Sequence, residues 1–127
     1  MFENIAIQGS LASHVALNFP DTTAVNFTLI VTQTTWTGAT GPALQLTAPS
    51  TVSVNCTLTS SSFLQNGQAA RLSGHVHFYC DNSTFANHTS SALEMVEGLA
   101  YIIDVSSSLF EGNQAQSGSA LLLKDIR

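Results

Sequence analysis

The feature that most constrains this chain is a recurrence. The aromatic residues Trp36, Phe63, Phe85 and Phe110 stand 27, 22 and 25 residues apart. After each comes a polar turn, and then a leucine: Ala43-Leu44, Arg71-Leu72, Ala92-Leu93 and Ala120-Leu121. The leucine follows a small residue except after Phe63, where Arg71 precedes it. Ala16-Leu17 lies 27 residues before Leu44 and marks an earlier copy. Ahead of each anchor is a strand-like stretch: "AVNFTLIV", "TVSVNCTL", "HVHFYC" and "AYIIDV". These alternate with period two, so Val52, Val54, Cys56 and Leu58 share one face. A period of roughly 20 to 28 residues signals a solenoid. Helical repeats of that length need amphipathic runs of about ten residues, and none is visible. Two or three short strands joined by tight turns make one rung of a parallel β-helix, each rung lying about 4.8 Å from the next. The expected fold is all-β: a right-handed parallel β-helix of about four to five rungs, with residues 1–127 forming one domain.

Composition agrees with strands and narrows the partners. Charged residues are 9% of the chain, far below the usual quarter, while Ser and Thr make up about a quarter. Hydroxyl and β-branched residues suit strands and turns, and the usual helix-surface residues are scarce. Net charge is -5, and the only basic residues are Arg71, Lys124 and Arg127. Phosphate neutralisation needs clusters of Lys and Arg, so no nucleic-acid partner is expected. No apolar run approaches the roughly 18 residues of a membrane helix, and the start "MFENIAIQGSLASHVALNF" lacks the layout of a signal peptide. The end "ALLLKDIR" falls in or just after a strand with no amphipathic cap. The expectation is a segment of a longer solenoid whose open rung promotes end-to-end self-association.

The repeat assigns roles to its residues. Trp36, Phe63, Phe85 and Phe110 point inward and stack on one another. Asn66, Asn87 and Asn113 take corners, because Asn tolerates left-handed backbone and its amide reaches the neighbouring rung. Gly118 and Ala120 are small where the chain bends, and Leu121 and Leu123 alternate into the core. "FEGNQAQSGSAL" resembles the FxxN…GGA[ILV] repeat of the chlamydial polymorphic outer-membrane proteins and similar β-helices. The match is fullest at Phe110–Leu121 and good at Phe63–Asn66. At Phe85–Leu93, Asn87 comes one residue early, and Trp36–Leu44 has glycines but no Asn. The resemblance implies a surface-displayed or secreted adhesive segment, in the outer membrane if bacterial, meeting a protein or carbohydrate at a cell surface.

Several residues carry groups capable of chemistry. Counted from Val52 and Val76, Cys56 and Cys80 occupy one position on successive rungs, which allows a disulfide; two buried free thiols are the other reading. Four sequons begin at Asn26, Asn55, Asn82 and Asn87. Asn55 alternates with an inward Cys56 and faces solvent, whereas Asn87, as a corner residue, turns inward; Asn26, Asn55 and Asn82 remain as candidate acceptors. His75 and His77 share a strand face that can meet a metal, but no third ligand stands nearby in sequence, so the face reads as solvated. No cofactor is implied. Asp81 and Asp104 stand one rung apart and are expected to face different ways. Glu94 and Glu97 read as outward charges. The expected function is therefore non-enzymatic, a spacer and binding face, with a fragment of a pectate-lyase-like carbohydrate-active protein as the alternative.

Overall fold

The structure is a computed structural model that describes residues 2–3, 6–8, 15–18, 25–49, 51–96, 102–115 and 120–124. Every regular element among them is a β-strand. The chain passes through three sheets in turn and then repeats the circuit. Sheet A contains β1 (Phe2–Glu3), β4 (Val25–Thr32), β7 (Val52–Thr59), β10 (Val76–Asp81) and β13 (Ile102–Ser106). Sheet B contains β2 (Ala6–Gln8), β5 (Thr35–Thr37), β8 (Ser62–Leu64), β11 (Thr84–Ala86) and β14 (Leu109–Glu111). Sheet C contains β3 (Val15–Asn18), β6 (Pro42–Ala48), β9 (Gln68–Gly74), β12 (Leu93–Val96) and β15 (Leu121–Lys124). All neighbours pair in parallel, each strand with the strand three places on. This is a parallel β-solenoid, and the four strand-like stretches read from the sequence form β4, β7, β10 and β13.

Two left-handed corners recur and make the circuit close. Between sheets A and B, Gln33, Ser60, Asn82 and Ser107 have φ of 50°, 49°, 48° and 47°. Between sheets B and C, Gly38, Gln65, Asn87 and Gly112 have φ of 86°, 54°, 59° and 62°. Every positive-φ residue other than glycine among the described residues sits in one of these two columns. A single left-handed residue turns a strand sharply, which is how three-residue strands such as β5 and β8 fit between two bends. Asn87 is thus the left-handed residue itself, while Asn66 and Asn113 lie one place later.

The interior is built of columns, one residue per rung. Trp36, Phe63, Phe85 and Phe110 stack with ring centroids 5.2, 5.5 and 4.7 Å apart and planes within 15° of parallel. Sheet A contributes Leu29–Cys56–Phe78–Ile103 and Val31–Leu58–Cys80, and sheet C contributes Val15–Leu44–Ala70–Leu93. Val105 and Leu121 continue the register of these columns but are exposed, so Leu121 is not the core residue the sequence suggested. Burying this apolar surface is the main favourable term, since strands this short cannot be stable alone.

The register corrects three details of the sequence reading. The small residue that the Phe63 copy seemed to lack is Ala69, and Ala70 rather than Leu72 is the residue in line with Leu44 and Leu93. Val15, not Leu17, pairs with Leu44. Val76 pairs with Val54 rather than Val52, so Cys56 meets Phe78 and Cys80 meets Leu58. The two cysteines are offset by two residues, and both are free. A diagonal offset in a sheet separates Cα atoms by about 7–8 Å, outside the range a disulfide spans.

Candidate functional site

Polar residues that recur on successive rungs are the obvious candidates for chemistry. Thr34, Ser61, Ser83 and Ser108 lie at the A-to-B corner, two residues before each aromatic. The hydroxyls of Ser61, Ser83 and Ser108 accept from the backbone N–H of Thr34, Ser61 and Ser83, each at 3.2 Å. All four hydroxyls donate to the carbonyl two residues back: Thr32, Thr59, Asp81 and Ser106, at 2.7–2.9 Å. This column was missed in the sequence, although a Ser or Thr two places before each aromatic was the signal for it.

A second column lies three residues after the aromatics: Asn66, His88 and Asn113. Asn66 Oδ1 accepts from Ala39 N–H at 2.9 Å, and its Nδ2 donates to the Trp36 carbonyl at 3.0 Å. Asn113 does the same two rungs further on, accepting from His88 N–H at 3.1 Å and donating to the Phe85 carbonyl at 3.1 Å. Between them stands His88, whose Nδ1 accepts from Asn66 N–H at 3.2 Å. The sequence reading placed Asn87 here. Instead Asn87 is exposed, with its Oδ1 against Gly112, and His88 is buried in the column. An imidazole nitrogen can accept a backbone N–H as an amide oxygen does.

His88 fits its column incompletely. Accepting at Nδ1 puts the proton on Nε2, which is buried without a hydrogen-bond partner. Burial holds the imidazole below its ordinary pKa of 6.5, with backbone groups of Asn66 and Phe63 acting in the opposite direction. In the unfolded chain the ring protonates as pH falls through about 6.5. The folded chain resists that proton, so the unfolded state binds more protons there, and stability falls as pH drops below about 6.5. His88→Asn is expected to raise the unfolding midpoint and to flatten its decline between pH 7.5 and 5, as measured by thermal melts at both values.

The outward face of sheet A is the surface left for recognition. Its columns run Thr28–Asn55–His77–Ile102, Ile30–Thr57–Tyr79–Asp104 and Thr32–Thr59–Asp81–Ser106. Asp81 and Asp104, expected to diverge, both point outward and are exposed. They lie in adjacent columns, two residues out of register, because Asp104 pairs with Tyr79 and Asp81 with Ser106. Ser106 Oγ donates to Asp81 Oδ1 at 3.0 Å. Together with Thr57, Thr59 and Tyr79 they line a depression of about 90 Å³. A second depression, of about 230 Å³, lies on sheet C among Gln45, Thr47, Arg71, Ser73 and Val96. Beside it Glu94 is buried rather than a free outward charge: Gln68 Nε2 donates to its carboxylate at 3.3 Å, and Arg71 Nε approaches to 3.5 Å.

The remaining sequence-predicted residues fall as follows. Asn26 is exposed on β4, and Asn82 is exposed at its corner with Nδ2 donating to Ser60 Oγ at 3.2 Å. Asn55 is half-buried and engaged with His77. Ala120 takes the place of Ala92 one rung on, its carbonyl accepting from Leu93 N–H at 3.0 Å as that of Ala92 accepts from Ala69. Gly118 and Glu97 lie outside the described residues. Burial, and then the neighbouring Cys80, push the Cys56 thiol up to about 12; burial raises Cys80 too, against the hydroxyls of Ser108 and Ser83. Thiols held protonated this way are poor nucleophiles. Comparison with known family models, characterised proteins and solved structures returns no match.

Proposed function

We propose that this chain is a non-enzymatic segment of a surface-displayed or secreted right-handed β-solenoid, serving as a spacer and presenting the outer face of sheet A as its binding surface. One observation carries this reading. The polar side chains that recur on every rung turn inward and spend their hydrogen bonds on the backbone of the neighbouring rung. The outward positions of sheet A change from rung to rung, as in Ile30–Thr57–Tyr79–Asp104. A repeated interior under a varied exterior suits a scaffold whose recognition lies in its surface. The surface context rests on the resemblance of the FxxN-type repeats, and the right-handed sense on the general preference of parallel crossovers. The partner is a protein or carbohydrate at a cell surface. Val105 on β13 and Leu121 on β15 continue interior columns yet are exposed, which favours end-to-end association through another rung.

The test is binding of the immobilised chain to panels of glycans and extracellular-matrix proteins. Retention is expected to be lost in the Tyr79→Ser/Asp104→Asn double variant and kept in Gln45→Ala on sheet C. Equal loss in both, or no retention on any panel, overturns the reading. The placement of Asp81 and Asp104 on one outward face gives the carbohydrate-active alternative its support. Turnover of a polysaccharide that disappears in Asp104→Asn would replace the first reading with the second.

A further inference from the structure

The geometry points to a surface site for a first-row divalent transition ion such as Zn²⁺ or Ni²⁺, held by His75 and His77 and steadied by Asn55. His75 sits where the chain turns from sheet C into sheet A. Gly74 just before it has φ +88°, and a Cβ there would fall on the Ala48 carbonyl, so the turn is built to a single shape. The His75 backbone is pinned on both sides: its N–H donates to Ala48 O at 3.2 Å, and its carbonyl accepts from Val54 N–H at 3.0 Å. His77 lies two residues on in β10, directly opposite Asn55 of β7. The two imidazoles are edge to face with centroids 5.3 Å apart and planes at 75°. Both rings are half-buried, so solvent and ions reach them.

Asn55 turns a pair of neighbouring rings into a chelating pair. Its Oδ1 lies 3.1 Å from His77 Nδ1. An amide oxygen only accepts, so Nδ1 carries the proton and the Nε2 lone pair is left for a metal. Metal-ligating histidines characteristically donate their second ring N–H to such an acceptor, which fixes the tautomer and the ring plane. Imidazole pairs suit Zn²⁺, Ni²⁺ and Cu²⁺. No group of three or more His, Cys, Asp or Glu that could hold a metal gathers among the described residues; with two imidazoles as ligands, water would fill the remaining coordination positions. The softer and imidazole donors elsewhere among the described residues, Cys56, Cys80 and His88, are buried in the interior.

The test uses the tag-free chain titrated with Zn²⁺, and separately with Ni²⁺, by calorimetry. One equivalent of saturable binding is expected. His77→Ala and His75→Ala should each abolish it, with circular dichroism unchanged because both side chains face outward. Asn55→Ala should keep the stoichiometry and weaken affinity about 10- to 100-fold. His14→Ala, outside the described residues, should bind as the parent does. No saturable binding, or binding that survives in His75→Ala and His77→Ala, overturns the site.

Discussion

Phe63→Ala is expected to lower the free energy of unfolding by about 3–5 kcal/mol, the cost of removing a fully buried aromatic ring from a packed interior. Phe63 is the middle of the stack, with Trp36 5.2 Å away on one side and Phe85 5.5 Å away on the other. Its ring is wholly buried. Truncation leaves a cavity between two large rings held by separate rungs, and neither ring can collapse into it without breaking its own strand pairing. In a solenoid each rung is stabilised only by its neighbours, so weakening one interface divides the stack. Phe110→Ala makes the comparison. That ring is only half-buried and has a stacking partner on one side, so the loss should be clearly smaller. Denaturant titration of the two variants measures the difference.

Asn66→Ala is expected to cost about 2–4 kcal/mol, from two buried backbone groups left unpaired. The amide satisfies the N–H of Ala39 and the carbonyl of Trp36, and the side chain is fully buried. Asn87→Gly should change stability by less than about 0.5 kcal/mol. Asn87 is exposed and left-handed at φ 59°, a conformation glycine adopts without strain. The contrast between two asparagines, each near its aromatic, separates the corner position from the ladder position. Were Asn87 the ladder residue, the two losses would be similar.

The sequence carried the strands, the aromatic stack and the solenoid plainly, because alternation and recurrence are local signals. It carried register only when counted from the correct mark. The turn between sheets A and B is always two residues, so positions measured back from the aromatics stay in line. Cys56 is seven residues before Phe63, and Phe78 is seven before Phe85, which is the observed pairing. Counting from Val52 and Val76 instead aligns the first residues of two strands of unequal length, and because β7 begins two positions earlier than β10 the cysteines then align falsely. The turn from sheet B to sheet C varies more, so the sequence pointed to Arg71-Leu72 as the counterpart of Ala43-Leu44 where the register has Ala69-Ala70. His88 was hidden for a chemical reason: it replaces an amide acceptor with an imidazole, and a search for Asn passes over it to Asn87. Glu94 was misread because its outward position is covered by Gln68 and Arg71 from the neighbouring strand.

The account rests on which residues lie above one another, and nuclear Overhauser contacts between side chains of the folded chain in solution test that most directly. The predicted result is ring-to-ring contacts Trp36–Phe63, Phe63–Phe85 and Phe85–Phe110, Cys56 β-protons near the Phe78 ring, and Cys80 β-protons near Leu58. Contacts joining Cys56 to Cys80, or Asn87 rather than His88 to the backbone of Asn66, would contradict it.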